Sequence, residues 1–268
     1  MKQKQFGYPC FDEKGEEILT TYDNEYSQMM MDIRVYRLKE NEERIFCRQG
    51  EETAILLLSG KISYVHDGKA EEAGRQDVFT DGPFALHVCT GTEVKVTAHS
   101  DAEILVQCAR NQQKFASRFY RPEDAPWGYS CAGKYGDVAK RRVNTIFDHE
   151  TAPYSNMVLG EVLNDRGNWS GFIPHRHPQP EVYFYRFDSP QGFGAGYANG
   201  EIFKTTHNGM APITSGFHSQ TAAPGYAMCY SWGIRHLDGD PWMKTRIDDK
   251  EHEWLWKSDA NEHIYPNK

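Results

Sequence analysis

The chain has no disulfide framework in its spacing. Its six cysteines, Cys10, Cys47, Cys89, Cys108, Cys131 and Cys229, include no C-x-x-C pair, so a stapled mini-domain or a cysteine knuckle is excluded and reduced thiols are expected. Long apolar runs are missing too: nowhere do about 18 uncharged apolar residues follow one another, and the opening MKQKQFGYPCFDEKGEE has no apolar stretch of the signal-peptide kind. A cytoplasmic location without a membrane span is the expectation. Positive charge is in deficit, with 30 Lys and Arg against 38 Asp and Glu and a formal net charge of −8. No overall field draws in a phosphate backbone, so nucleic acid is not an expected partner, and an anionic small molecule would need a local basic pocket. A sustained 3.6-residue apolar stripe is also absent, which removes a helical bundle.

What the chain does have is short strands and many turns. Its 268 residues include 23 Gly, 13 Pro, 15 Tyr and 14 Phe, and that length suffices for two modules of roughly 100 to 130 residues, each with its own core. From Met31 to Gln107 the runs DIRVYRL, TAILLLSGKISYV, DVF, FALHVC, EVKVTA and AEILVQC alternate with Gly- and Asp-bearing turns, the rhythm of antiparallel strands. Between Asn111 and Asp148 charge, Gly and Pro dominate, which reads as a connection. The strand rhythm returns in MVLGEVL, WSGFIPHRH, EVYFYRF and GYAMCYSWGI. The expected organisation is all-β, with an N-terminal barrel and linker over 1–142 and a C-terminal barrel over 143–268. His87 and His218 each stand near a Gly turn and a strand, a faint sign of duplication.

The most informative stretch is GNWSGFIPHRHPQPEVYFYRF. On a strand, residues two apart face the same side, so His175 and His177 can aim both imidazoles at one point. Pro178 and Pro180 break the ladder, and Glu181 opens the next strand with Tyr183 and Tyr185 on its own face. His218, after the turn at Gly216, is the best fourth ligand. Three imidazoles and a carboxylate suit one divalent first-row ion, Zn, Mn, Fe, Co or Ni. An isolated H-x-H is often an ordinary pair of surface or core histidines; here the following Glu and the later Gly-x-His favour the metal. Only the second module has an H-x-H, so one site is expected.

Other candidates have two readings. Tyr183, Tyr185 and Tyr230 either line a sugar-sized pocket or fill the core. Arg186, Lys204 and Arg235 either receive a carboxylate or are solvated surface charges. Glu161, in LGEVLND, is either an inward general base or an outward strand residue.

The pattern H-x-H-x3-E with a later G-x-H resembles the cupin signature, although Trp169 stands where that signature has Gly and no Asn follows the last His. More specifically, LLLSGKISYVHDG, DGPFALHVCTGTEVKVTAHSDAEI, RPEDA, RRVNTIFD, LGEVLNDRGNWSGFIPHRH, EVYFYRF, PQGFG and FHSQTAAPGYAMCY resemble the 5-deoxy-glucuronate isomerases of inositol catabolism, a bicupin family. The short spacing between His177 and Glu181 is closer to the related 5-keto-4-deoxyuronate isomerases. The resemblance implies two cupin barrels, one divalent ion and an aldose–ketose isomerisation of a small sugar acid, 5-deoxy-glucuronate becoming 2-deoxy-5-keto-gluconate. Glu161, Tyr183 and Tyr185 are then the candidate proton shuttles. Two rivals from other classes share the motif. A cupin dioxygenase would consume oxygen, and a non-catalytic sugar-binding cupin would hold a uronate without turnover. The oligomeric state is left open by the sequence, a homo-oligomer included.

Overall fold

The structure, a computed structural model, describes residues 6–214 and 216–267, and among these the regular elements are strands and short 3-10 turns, with no α-helix. One strand, Glu51–His66, shows how the N-terminal barrel closes. Its first half pairs with Phe84–Val88 on one side and Ala102–Arg110 on the other, and its second half pairs with Lys69–Arg75 and Val94–Ala98. The change of partners needs Gly60, whose φ is +98° and where a Cβ would lie 2.5 Å from the Asp101 carbonyl oxygen. A bulge between Leu57 and Ser59 resets the alternation. Ile55 and Leu57 before it, and Ile62 and Tyr64 after it, therefore all point inward, joining Val94, Val96, Ile104 and Val106. Burying each large side chain contributes about 1.5–3 kcal/mol before conformational entropy is counted. Apolar groups fill this barrel's interior.

The C-terminal barrel is two facing sheets. One runs in the order Gly128–Ser130, Arg141–Phe147, Met157–Asn164, Met228–Arg235, Glu181–Phe187, Met210–Ile213. The other runs Glu201–Thr206, Phe193–Ala198, His218–Ala222, Trp169–Arg176, Ile247–Asp248. Both faces of the first sheet are covered. Val158 and Val162 enter the barrel with Tyr183, Tyr230 and Trp232, whereas Met157, Leu159 and Leu163 pack with Leu56 and Leu105 of the N-terminal barrel. The chain is thus all-β, two cupin-type barrels packed against each other by an apolar sheet face.

The segment read from sequence as a connection contributes strands to both barrels. Arg118–Tyr120 pairs with Phe84–Val88, while Gly128–Ser130 and Arg141–Phe147 pair into the C-terminal sheet, so its hydrogen bonding begins upstream of residue 143. Two of these strands, Arg118–Tyr120 and Gly128–Ser130, have three residues each and leave too little alternation to read. DVF, read as a strand, is a turn, because the Asp77 carboxylate accepts from the backbone N–H of Phe79 and Thr80. All six cysteines are free. Among the described residues no helix is long and apolar enough to cross a membrane.

Candidate metal centre and its pocket

The strand Trp169–Arg176 reaches its partner His218–Ala222 by two separate pairings, Ser170 with Gln220 and His175 with His218. The unequal chain lengths between them make a bulge at Gly171–Pro174, where Gly171 has φ +63°. This bulge sets His175 directly beside His218, with ring centroids 4.4 Å apart. His177 follows just past the strand end, and its ring lies 5.4 Å from that of His218. The ligand atoms of the three imidazoles lie within 4.8 Å of one another. Glu181, the first residue of its strand, brings Oε2 to 3.2 Å from His177 Nε2 and 3.4 Å from His218 Nε2. His177, His218 and Glu181 are buried, and His175 is partly exposed.

The backbone fixes the tautomers. Nδ1 of His175 faces the Gly171 carbonyl at 3.2 Å, Nδ1 of His177 the Gln179 carbonyl at 2.9 Å, and Nδ1 of His218 the Gly216 carbonyl at 3.2 Å. A carbonyl only accepts, so each Nδ1 carries the proton and each Nε2 presents a lone pair. His218 Nε2 is buried without a hydrogen-bond partner among the described residues. Desolvation, with His218 and Arg246 close by, pushes His175 well below the ordinary histidine range and keeps it neutral. Burial raises Glu181, and only positive charge on the His177 and His218 side of its carboxylate holds it below the usual range, charge that neutral imidazoles lack and a bound cation would supply. Imidazole lone pairs gathered around an ionised carboxylate repel one another unless a cation lies between them. The donor set fits a divalent first-row ion.

The cluster opens into a cavity of about 150 Å³, whose lining includes Tyr183, Tyr230, Trp232, Trp242, Arg141 and Arg246. Tyr183 donates to Glu181 Oε2 at 2.6 Å, and its ring meets Tyr230 edge-on with centroids 5.0 Å apart. Tyr230 is hydrogen-bonded to Ser170. Burial and the nearby Glu181 push Tyr183 well above its ordinary value, and burial pushes Tyr230 up to about 12. Both keep their protons at neutral pH. The Tyr185 hydroxyl, the Gln220 amide nitrogen and the indole N–H groups of Trp232 and Trp242 are buried without partners among the described residues. A larger hollow of about 370 Å³, lined by Trp169, Tyr197, Ile202 and Thr221 among others, contains none of the three histidines.

Several other candidates are placed elsewhere. Glu161 points out of the barrel and is fully buried against Arg75 of the N-terminal barrel, 2.8 Å away. The expectation of a general base there is corrected: the strand Met157–Asn164 turns that face to the barrel interface. Arg186, on the outer phase of Glu181–Phe187, pairs with Glu103 at 2.6 Å. Arg235, on the outer phase of Met228–Arg235, donates to the Asn156 carbonyl. Lys204 is exposed and lies over the Phe193 ring. None of these three cations lines the cavity; Arg141 and Arg246, which sequence reasoning passed over, do. Arg141 shares the inward phase of its strand with Val143, a legible signal, whereas Arg246 stands in an aperiodic segment with none. His87, the apparent counterpart of His218, faces the interface, where it pairs with Glu52 at 2.8 Å and stacks on Phe147.

Known proteins share this architecture. A family model described as KduI/IolB family matches residues 8–255. A protein named 5-deoxy-glucuronate isomerase from Bacillus subtilis (strain 168) is 25% identical over 224 residues, 76% of this chain and 80% of that protein. An IolB-like protein from Salmonella typhimurium LT2 superposes with a TM-score of 0.81 at 18% identity, covering 94% of this chain and 99% of that one. The oxalate decarboxylase of Lactobacillus farciminis superposes with a TM-score of 0.68 at 10% identity, covering 99% of this chain and 94% of that one. The two structural likenesses concern the fold.

Proposed function

This chain belongs to the KduI/IolB family, and from that premise we propose that it is a cytoplasmic, metal-dependent isomerase that converts 5-deoxy-glucuronate to 2-deoxy-5-keto-gluconate in inositol catabolism. The isomerase class rests on relatives named 5-deoxy-glucuronate isomerase. One observation carries the metal dependence: three imidazole Nε2 atoms, each with its proton held on the other nitrogen by a carbonyl, gather at the Glu181 carboxylate. His175, His177, His218 and Glu181 would hold Zn, Mn, Fe, Co or Ni.

Aldose–ketose isomerisation removes a proton beside a carbonyl, stabilises an enediolate oxygen and returns the proton to the neighbouring carbon. A bound divalent ion supplies Lewis-acid stabilisation of that oxygen. Tyr183, which keeps its proton at neutral pH and donates to Glu181, would deliver a proton rather than abstract one. The unpartnered indole N–H groups of Trp232 and Trp242 and the hydroxyl of Tyr185 offer donors to sugar hydroxyls, and the aromatic walls exclude water.

The test is to incubate metal-loaded protein separately with 5-deoxy-glucuronate and with 5-keto-4-deoxyuronate and follow each by NMR. Conversion of the first alone is expected. Conversion of the second alone would move the chain to the other isomerase of the family, and oxygen uptake or binding without turnover of either would overturn the reading.

A further inference from the structure

The inward face of the first C-terminal sheet has two polar ends. The row that holds Glu181 continues through Ile234 to Val158, and the row that holds Phe187 continues through Met228 and Asn164 to Arg141. Glu181 and Phe187 are the first and last residues of one strand. Arg141 therefore springs from the opposite end of the sheet from the candidate metal ligands, yet it lines the same cavity.

Its guanidinium is buried, with 7% of the residue exposed, and is only partly committed. Nη1 donates to the Ala139 carbonyl at 3.1 Å and lies 3.5 Å from Cys131 Sγ. No carboxylate pairs with it among the described residues. Arg246, the other cation of the cavity, is already neutralised: Nε donates to Asp248 at 2.6 Å and Nη2 to the Ile173 carbonyl at 2.7 Å. A buried cation without an anion is costly unless a ligand supplies one, and the planar guanidinium fork matches a carboxylate.

We propose that Arg141 is the specificity-determining anchor for the substrate's carboxylate, holding it at the end of the cavity away from the metal centre. This rests on the sugar-acid isomerase reading. It also explains the choice of substrate, because a uronate carries its reacting carbonyl and its carboxylate at opposite ends of the carbon chain. The anchor then sets which carbons reach the histidine cluster. A sugar without the acid loses its register as well as affinity.

Calorimetric titration of 5-deoxy-glucuronate, and of the same sugar with a primary alcohol in place of the carboxylate, tests this on wild type and R141Q, with metal content measured in parallel. R141Q is expected to weaken uronate binding about 10- to 100-fold, to change binding of the neutral sugar by less than about two-fold, and to keep its metal. R141K should recover part of the loss. Equal weakening of both sugars, or none for the uronate, would overturn the anchor. Should R141Q not fold, wild type alone decides: it should bind the uronate about 10- to 100-fold more tightly than the alcohol, and equal affinities sink the proposal. The two readings fail separately. Selective uronate binding without isomerisation in wild type refutes the function and leaves the anchor standing, whereas isomerisation with an indifferent R141Q refutes only the anchor.

Discussion

Arg75 closes a two-point ion pair on Glu161 across the barrel interface, at 2.9 Å from Nη1 and 2.8 Å from Nη2, with neither side chain exposed. The remaining polar atoms are also occupied: Arg75 donates to the Leu57 and Asp81 carbonyls, and Asn144 reaches both the Glu161 carboxylate and its backbone N–H. Removing one member of such a pair leaves a buried charge without compensation. Glu161→Ala is therefore expected to lower unfolding free energy by about 3–5 kcal/mol in urea titrations, while metal content and the kcat of the folded protein stay close to wild type. A variant with unchanged stability and a collapsed kcat would return Glu161 to the catalytic machinery.

The same strand shows what the sequence makes legible. MVLGEVLN is buried along its whole length, because one face fills a barrel and the other meets the second barrel. Such a strand carries no hydrophobic alternation to say which phase is inward. Glu161, Arg186 and Arg235 are all outer-phase residues hidden by this effect. The H-x-H pair escaped it, since its meaning lies in chemistry and two-residue spacing rather than in polarity. Tyr183 and Tyr185 were tied to Glu181 by the same period and do share its face. The bulge at Gly171–Pro174 and the approach of Arg246 depend on long-range pairing that no local window contains.

His177→Ala should weaken metal retention by at least about 100-fold, since a lost ligand exceeds the effect of a lost outer partner. Metal analysis after dialysis, alongside isomerase assays, should show activity falling in proportion to bound metal. The N-terminal barrel contributes no ligand and should keep its thermal transition. Full activity without bound metal would remove the ion from the reaction.

Tyr183→Phe deletes the hydroxyl that donates to Glu181 at 2.6 Å while leaving the ring. The expected result is a kcat lowered by about 10²- to 10⁴-fold with metal retained. In D₂O, wild type should introduce deuterium beside the new carbonyl as the abstracted proton exchanges. Product free of solvent deuterium, or a full-rate variant, would exclude Tyr183 as the exchanging proton donor.

Stability should also depend on pH through Glu17, on the strand Glu16–Thr20. Its side chain is shielded and neither carboxyl oxygen has a hydrogen-bond partner among the described residues. Burial pushes its pKa up to about 7; the cations Arg186 and Arg37 oppose the shift, and Glu103 adds to it. In the unfolded chain the same carboxyl titrates near about 4.3. Between these values the folded state holds a proton that the unfolded state has released, so raising the pH favours unfolding. The contribution is fully present below about pH 4.3, declines as the pH rises to 7, and is lost above it, an effect on the order of 3 kcal/mol. Glu17→Gln keeps the shape and removes the titration. Urea unfolding of both proteins at pH 5, 6, 7 and 8 should therefore show the variant gaining on wild type with each step upward, because the other titrating groups cancel in the difference. A difference that stays constant from pH 5 to 8 would mean that Glu17 is ionised in the fold throughout, and that its burial is compensated by Arg186 and Arg37 after all.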